Sequence, residues 1–308
     1  MFQTFKNAFK IPDLRNKILF TLFIILLYRV GVAVPVPYIQ TGIENVFGAG
    51  SIFDYLNLLS GGALEQATLF ALGVSPYINA SIIIQLLAIA IPALEKLSKE
   101  GEEGRKKIGK ITRYVTVLLG LIQGGAYYWW LSASKIVTYT DGFYGVFAAA
   151  TIILTFTAGT ALMMWLGEQI NQKGIGNGIS IILFAGIVSR FPTLIKQLFQ
   201  YLDTGRLVYK ILVPVVIVCF LLMIAYIVFM DNSERRLPIS YAKRVVGRKM
   251  MGGQSTHMPI KVNMSGVLPV IFASSILSLP GTVQMFLSAD KYEGTFWEKF
   301  FKAFQGDS

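Results

Sequence analysis

A pattern of six residues at fixed spacing occurs twice in this chain, at residues 73–81 and again at residues 266–274. Both copies read Gly-Val-x-Pro-x-Ile-x-Ala-Ser. Shared hydrophobicity does not explain Gly and Pro at the same offsets, so the repeat indicates an internal duplication. If the copies lie in membrane helices of opposite direction, the duplication is an inverted repeat. Its working site is then expected where the halves meet, near the middle of the membrane.

The composition is that of a membrane protein. Of the 308 residues, 54% are apolar and 15% are charged, and a helix needs about 20 apolar residues to cross a bilayer. A single cysteine, Cys219, and a single histidine, His257, exclude a disulfide within the chain and a metal centre with several histidines. The apolar runs predict seven spans, at about 18–37, 70–92, 114–132, 144–166, 177–190, 211–230 and 264–287. The fifth is short for a span, which leaves an extension past residue 190 open.

Lysine and arginine in the connections predict the direction of each span. The connection 30–69 has none, whereas connections 93–113 and 231–263 have seven each. This pattern predicts a cytoplasmic N-terminus and outside connections after spans 1, 3, 5 and 7. Connection 190–210 disagrees, because it should lie outside yet carries Arg190, Lys196, Arg206 and Lys210.

These directions make spans 2 and 7, which carry the repeated pattern, antiparallel. The sequence therefore predicts an all-α polytopic membrane protein of two inverted five-helix repeats. Residues 1–205 form the first repeat with spans 1–5. Residues 206–308 form a partial second repeat with spans 6 and 7, so three further spans are expected outside this chain.

Segment 52–64 lies in the first outside connection and is too short to span the bilayer. Its apolar residues recur at helical spacing, and Gly61 and Gly62 end the run with a flexible joint. Two interpretations stay open: a helix lying in the membrane interface, or a re-entrant helix that folds back into a cavity. The second interpretation carries a condition, because non-helical backbone at membrane depth persists only where protein or water satisfies its polar groups.

The repeated prolines, Pro76 and Pro269, fall early in their spans, where a first helical turn tolerates Pro. One interpretation is simply two similarly capped helices. The other is that Val74, Ile78 and Ile271 point towards a common axis. Branched apolar side chains there would form a constriction that seals against ions and water without binding chemistry.

Two basic connections are candidates for docking. Lys243, Arg244, Arg248 and Lys249 span about two helical turns in a connection longer than topology requires, which favours docking of an acidic or nucleic-acid partner. The positive-inside rule alone also explains the charge of connection 93–113.

Few ionisable residues fall within the spans, chiefly Arg29 and Glu168. A coupled transporter would usually carry buried acidic or histidine residues, so a passive channel is favoured over a secondary transporter of a small solute. No set of residues suited to nucleophilic or metal catalysis supports an intramembrane enzyme.

Several segments together resemble the SecY family of protein translocation channels, in family order over nearly the whole chain. The matching stretches are residues 60–64, 70–74 continuing through 82–87, 99–102 continuing to 113–114, 165–169, 174–180, and 254–257 continuing to 261–264. The resemblance implies a passive channel in a bacterial cell (inner) membrane, without cofactor, which threads unfolded secretory polypeptides and releases apolar segments sideways into lipid.

The resemblance also implies roles for particular residues. The pore ring maps onto Val74, Ile78, Ile179, Leu183 and Ile271. The plug maps onto about 52–64, with Ile52, Phe53, Tyr55, Leu56, Leu59, Gly61 and Gly62. The lateral gate maps onto spans 2, 3 and 7, with Gln85 and Asn263 at its seam. The docking loops map onto Arg105, Lys106, Lys107 and Lys110, and onto Lys243, Arg244, Arg248 and Lys249.

The implied partners follow from the same resemblance. They are SecE, which clamps the two halves, and SecG as a third subunit. The SecA motor or the ribosome would dock on the cytoplasmic face, while signal peptides, unfolded preproteins and membrane lipid would meet the channel itself.

Overall fold

The computed structural model describes residues 9–40, 57, 60–203, 206–239, 244–246, 249–251, 256–263 and 273. The chain divides into two compact units. The first comprises Met1–Pro192 and Ser274–Ser308, and the second comprises Thr193–Ala273.

The described part of the first unit is built from six helices. They are α1 (Pro12–Val32), α2 (Ser75–Ala90), α3 (Pro92–Lys99), α4 (Glu102–Ala133), α5 (Gly142–Lys173) and α6 (Gly178–Ser189). A proline stands in the first turn of α1, α2 and α3, where its missing N–H would have no helical partner and its fixed φ suits the helix. The first-turn position predicted for Pro76 is therefore confirmed.

The second unit holds most of α7 (Phe191–Asp203), all of α8 (Leu207–Asp231) and four short strands. Strands β1 (Glu234–Ile239) and β4 (Thr256–Lys261) pair antiparallel, from Glu234 opposite Lys261 to Ile239 opposite Thr256. Strands β2 (Arg244–Val246) and β3 (Lys249–Met251) form a second antiparallel pair. A two-stranded ladder has only edge strands, which explains how it accommodates a proline in each long strand.

By length and composition, three helical stretches of the described chain could each cross a membrane: Gly142–Lys173, Gly178–Asp203 and Val208–Asp231. Helices α2 and α3, bent by 102° at Ile91, would make a fourth if counted as one span. The fifth predicted span does extend past Arg190, since α6 and α7 together form the apolar stretch Gly178–Asp203. These helices confirm a mostly helical, multi-pass membrane protein.

Three details of the sequence prediction are corrected. Span 2 does not begin at residue 70, because residues 60–74 form successive turns and the helix starts at Ser75. Connection 93–113 is helical, divided between α3 and the first turns of α4. The helical spacing assumed for the basic connection is also wrong, because Arg244 and Lys249 lie in strands. Span 7 falls outside the described residues except for Ala273.

Two hydrogen bonds tie the connections of the first unit together. Gln40 N–H, after α1, donates to the Ile136 carbonyl, after α4, at 3.0 Å. Ile175 N–H, after α5, donates to Thr21 Oγ1 in the middle of α1 at 3.2 Å. The C-terminal ends of α1 and α4 therefore lie together.

Two apolar clusters form the core of the first unit, and the irregular segment 60–74 contributes to both. The first cluster contains Ala63, Phe70 and Val74 of this segment, packed with residues of α1, α5 and α6. The second contains Leu64, Ala67 and Ala71, packed with residues of α4 and α5. Because its side chains alternate between the clusters, the segment is wedged among the helices rather than laid over them.

Candidate pore and plug site

The segment that leads into α2 is irregular yet buried. Ala63 and Ala67 are at most 1% exposed, and the polar Ser60 and Thr68 are 3% and 2% exposed. The polar groups of the segment are paired locally: Ser60 Oγ donates to the Asn57 carbonyl at 3.1 Å, and Leu64 N–H donates to Ser60 Oγ at 3.2 Å. Burial in protein is the condition under which non-helical backbone persists at membrane depth.

Two tyrosines tie this segment to the surrounding helices. Tyr28 of α1 donates its hydroxyl to the Ser60 carbonyl at 3.1 Å. Tyr127 of α4 donates to the Leu64 carbonyl at 2.6 Å. The described part of segment 52–64 is therefore held inside the helix bundle, which favours the re-entrant interpretation over an interfacial helix. Ile52, Phe53, Tyr55, Leu56 and Leu59 lie outside the described residues.

Four of the five predicted pore-ring residues lie in or against one apolar cluster. Val74 is 3% exposed and belongs to the first core cluster. Ile78, Ile179 and Leu183 are partly buried and pack against it. They come from the start of α2 and the first two turns of α6, which the fold brings together although about 100 residues separate them in the sequence. Ile271 lies outside the described residues.

The start of α6 is fixed by polar caps and close backbone contact. The Asn177 side chain accepts from Ile179 N–H at 3.1 Å and from Ser180 N–H at 3.3 Å, which satisfies donors that have no helical partner. A Cβ added at Gly178 would lie only 2.0 Å from the Gly167 carbonyl oxygen. Small residues let two membrane helices approach closely, and this approach sets where Ile179 and Leu183 lie.

The predicted gate residues lie in different units. Gln85 of α2 is exposed and donates to Ser81 Oγ at 3.3 Å. It lines a groove of about 530 Å³ whose other walls include Glu95 and Arg105. Asn263 follows β4 in the second unit and is also exposed.

The predicted docking residues fall into two groups. Arg105, Lys106, Lys107 and Lys110 are exposed on the first turns of α4, where Lys107 Nζ lies 3.5 Å from Glu100 Oε2. In the second unit Arg244 and Lys249 lie in the short β2–β3 ladder. Lys243 and Arg248 lie outside the described residues.

Sequence reasoning missed a polar cluster formed by Asn57, Glu65 and Arg190. Arg190 Nη2 lies 2.8 Å from Glu65 Oε2, and Asn57 Nδ2 donates to the same oxygen at 2.7 Å. Burial alone raises the pKa of Glu65, but the hydrogen bonds from Arg190 and Asn57 and the positive charge of Arg190 outweigh it, so the pKa lies below its ordinary value. The positive charge at residue 190 that contradicted the topology rule was the signal that could have located this cluster.

The remaining candidates for a chemical site are grouped metal ligands and the ionisable residues of the predicted spans. In the part of the chain that the structure describes, no three His, Cys, Asp or Glu residues are grouped so as to hold a metal ion. Arg113 Nε and Glu168 Oε1 form an ion pair of 2.8 Å between α4 and α5. The acidic residue predicted within span 4 is thus paired with a charge on the neighbouring helix.

Comparison with known proteins decides the family. The SecY family model matches residues 68–305. The chain belongs to the SecY family. The protein translocase subunit SecY of Streptomyces scabiei is 43% identical over 302 residues, covering 93% of this chain and 68% of that protein.

Solved structures share the SecY fold. A protein-conducting channel matches with a TM-score of 0.61 at 20% identity, covering 91% of this chain and 61% of that one. Sec61 in a canine ribosome–channel complex from the endoplasmic reticulum matches with a TM-score of 0.60 at 20% identity, covering 91% and 62%. The chain thus spans about three fifths of the length of these channels and 68% of the Streptomyces relative.

Proposed function

We propose that this chain forms the greater part of the channel subunit of a bacterial Sec translocase, a passive pore for unfolded secretory polypeptides. The observation that carries the proposal is the buried irregular segment 60–74. It contributes to two apolar clusters, ends at Val74 and leads directly into the first turn of α2, which bears Ile78. A removable segment beside an apolar constriction is the arrangement that a sealed but openable pore requires.

The ring consists of Val74, Ile78, Ile179, Leu183 and Ile271. Its supporting feature is that Val74 belongs to the first core cluster and that Ile78, Ile179 and Leu183 pack against it. Branched apolar side chains offer no fixed hydrogen bonds, so a ring of them deforms around a passing chain and closes behind it. The plug comprises residues 52–64, hinged at Gly61 and Gly62.

The proposed organisation is two inverted repeats, residues 1–205 and 206–308, with the second completed by further helices. Spans 2 and 3 face span 7 at a lateral gate with Gln85 and Asn263 at its seam. Through this gate an apolar stretch of about 20 residues leaves for the lipid. The N-terminus lies in the cytoplasm, and the membrane is the bacterial cell (inner) membrane.

The basic residues at 105–110 and 243–249 form the cytoplasmic docking surface for the SecA motor or the ribosome. Support for partners of this kind comes from the fold shared with a channel bound to a ribosome. SecE and SecG complete the complex. The chain provides the path and the motor or ribosome provides the energy, so no catalytic step is assigned to it.

The alternative is a secondary transporter of a small solute, also built on inverted repeats. That function needs polar groups at the centre of the membrane to bind its solute. The position in question carries Val74, Ile78, Ile179 and Leu183 instead, which favours the polypeptide pore.

The deciding experiment is photo-crosslinking from a probe at Ile78 to a stalled secretory polypeptide, in the full-length protein assembled with SecE. A probe at Phe184, on α6 and 65% exposed, is the matched control for contact with lipid. Crosslinks from Ile78 and none from Phe184 are expected. In a complex that binds its motor, absence of crosslinks from Ile78 would favour the small-solute transporter and remove the ring assignment.

A further inference from the structure

Arg190, at the end of α6, reaches across to the segment that precedes α2. Its Nη2 lies 2.8 Å from Glu65 Oε2, and the two side chains are 30% and 27% exposed. The residues are 125 positions apart in the sequence. An ion pair with this much burial is less screened by solvent and salt than a surface pair, so it can hold two parts of the chain together.

Asn57 joins this ion pair to the plug segment proposed above. It is 6% exposed and makes two hydrogen bonds with Glu65, donating Nδ2–H to Oε2 at 2.7 Å and accepting the Glu65 N–H at Oδ1 at 3.1 Å. Its carbonyl also accepts from Gly62 N–H at 2.9 Å. Asn57 and Glu65 thus close a compact turn, and Arg190 fastens this turn to α6.

Gly61 and Gly62 pass close to α6 in a backbone conformation that favours glycine. Gly61 and Gly62 have φ angles of +70° and +92°, which L side chains rarely adopt. A Cβ at Gly61 would lie 3.1 Å from Gly186 Cα, and one at Gly62 would lie 2.7 Å from Arg190 Nη2. Because Gly186 and Arg190 are one helical turn apart, the diglycine fits between them on one face of α6.

We propose that Arg190, Glu65 and Asn57 form a latch that fixes the base of the plug to α6 and keeps the resting pore closed. The inference deepens the proposed function and rests on it, because it takes segment 52–64 to be the plug. Displacing the plug requires Arg190 and Glu65 to separate. Since both side chains already reach solvent, each regains hydration as it leaves, and the latch opens reversibly.

The first test measures amide hydrogen exchange of residues 60–68 in the full-length protein assembled with SecE. Glu65→Gln is nearly isosteric, so it removes the charge with the least disturbance of the fold. We expect Glu65→Gln and Arg190→Gln each to speed exchange by up to about fivefold, the upper end of the range for losing a partly exposed ion pair. The double variant should exchange no faster than either single variant, because both remove the same interaction.

Two further variants sharpen this test. Arg190→Lys keeps the charge but loses the planar fork, so it should give an intermediate rate. Lys196→Gln, which removes one positive charge from α7, should leave exchange at wild-type rates. Unchanged exchange in Glu65→Gln and Arg190→Gln, or effects that simply add in the double variant, would overturn the latch.

The second test measures ion conductance of the resting complex in a planar bilayer. Glu65→Gln and Arg190→Gln should raise it, and deletion of residues 52–64 should raise it further. If the deletion leaks and the single variants do not, the latch is wrong and the plug stands. If the deletion does not leak, the plug assignment itself fails, whatever the exchange rates show.

Discussion

Replacing Tyr127 with Phe removes one hydrogen bond between α4 and the buried segment while preserving the ring contacts. Tyr127 is 1% exposed, and its hydroxyl donates to the Leu64 carbonyl at 2.6 Å. The ring packs against Phe156 and Trp130, with centroid distances of 5.2 and 5.9 Å. Phenylalanine keeps these contacts, so any loss of stability in Tyr127→Phe reports the hydrogen bond of the hydroxyl alone.

The expected cost follows from what happens to the Leu64 carbonyl. A buried carbonyl left without any partner would cost about 1–3 kcal/mol, whereas losing a typical hydrogen bond costs about 0.5–1.5 kcal/mol. Leu64 O also accepts from Ala67 N–H at 3.1 Å and so retains a partner. We therefore expect Tyr127→Phe to lower the free energy of unfolding by about 0.5–1.5 kcal/mol, close to the average of about 0.6 kcal/mol for hydrogen bonds between membrane helices.

The assay is unfolding of the full-length protein assembled with SecE in detergent, followed by the loss of tertiary structure. Tyr114→Phe is the matched control, because Tyr114 lies on the same helix and is 77% exposed. Equal stabilities of the Tyr127→Phe and Tyr114→Phe variants would refute the reasoning. A loss above about 3 kcal/mol would do so as well, since it would mean that the carbonyl had lost both partners.

Three further outcomes are expected. Gly178→Ala should destabilise the complex by about 1–3 kcal/mol through overpacking, whereas Gly125→Ala, whose Cβ meets nothing within 4 Å, should be neutral or stabilising in thermal unfolding; equal effects would contradict the close contact. The pKa of Glu65 is lowered below its ordinary 4.5, so its contribution to the stability of the folded protein should be complete above pH 4.5 and be lost as the pH falls through the lowered value. Unfolding measured from about pH 7 to about pH 3 should show this dependence in the wild type, and Glu65→Gln should abolish it. Reversing the charges of Arg248 and Lys249 should reduce motor-driven transport in vesicles, whereas reversing Lys196 and Lys210 of the predicted outside connection 190–210 should not. Full transport in the first variant would mean that Arg248 and Lys249 serve topology only.

Helix positions could be predicted from the sequence because the signals for them are local. Apolar runs place α5, α6 and α8 to within a few residues at most ends. The family could be recognised for the same reason, since its motifs are short runs at fixed offsets. Two local signals were ambiguous. The apolar residues before Ser75 read as helix but form buried turns, and the basic connection read as helical but forms paired strands.

The sequence by itself determined a polytopic helical chain, the duplication of the Gly-Val-x-Pro pattern and the uneven distribution of Lys and Arg among the connections. Only the tertiary structure decided that segment 60–74 is wedged between two cores and that Arg190 meets Glu65. The physical reason is that hydropathy and capping act over a few residues. An ion pair across 125 positions, and the close contact of Gly61 and Gly62 with α6, exist only once α1, α4 and α6 have packed. Arg190, whose positive charge contradicts the topology rule, is paired with Glu65 in the folded chain.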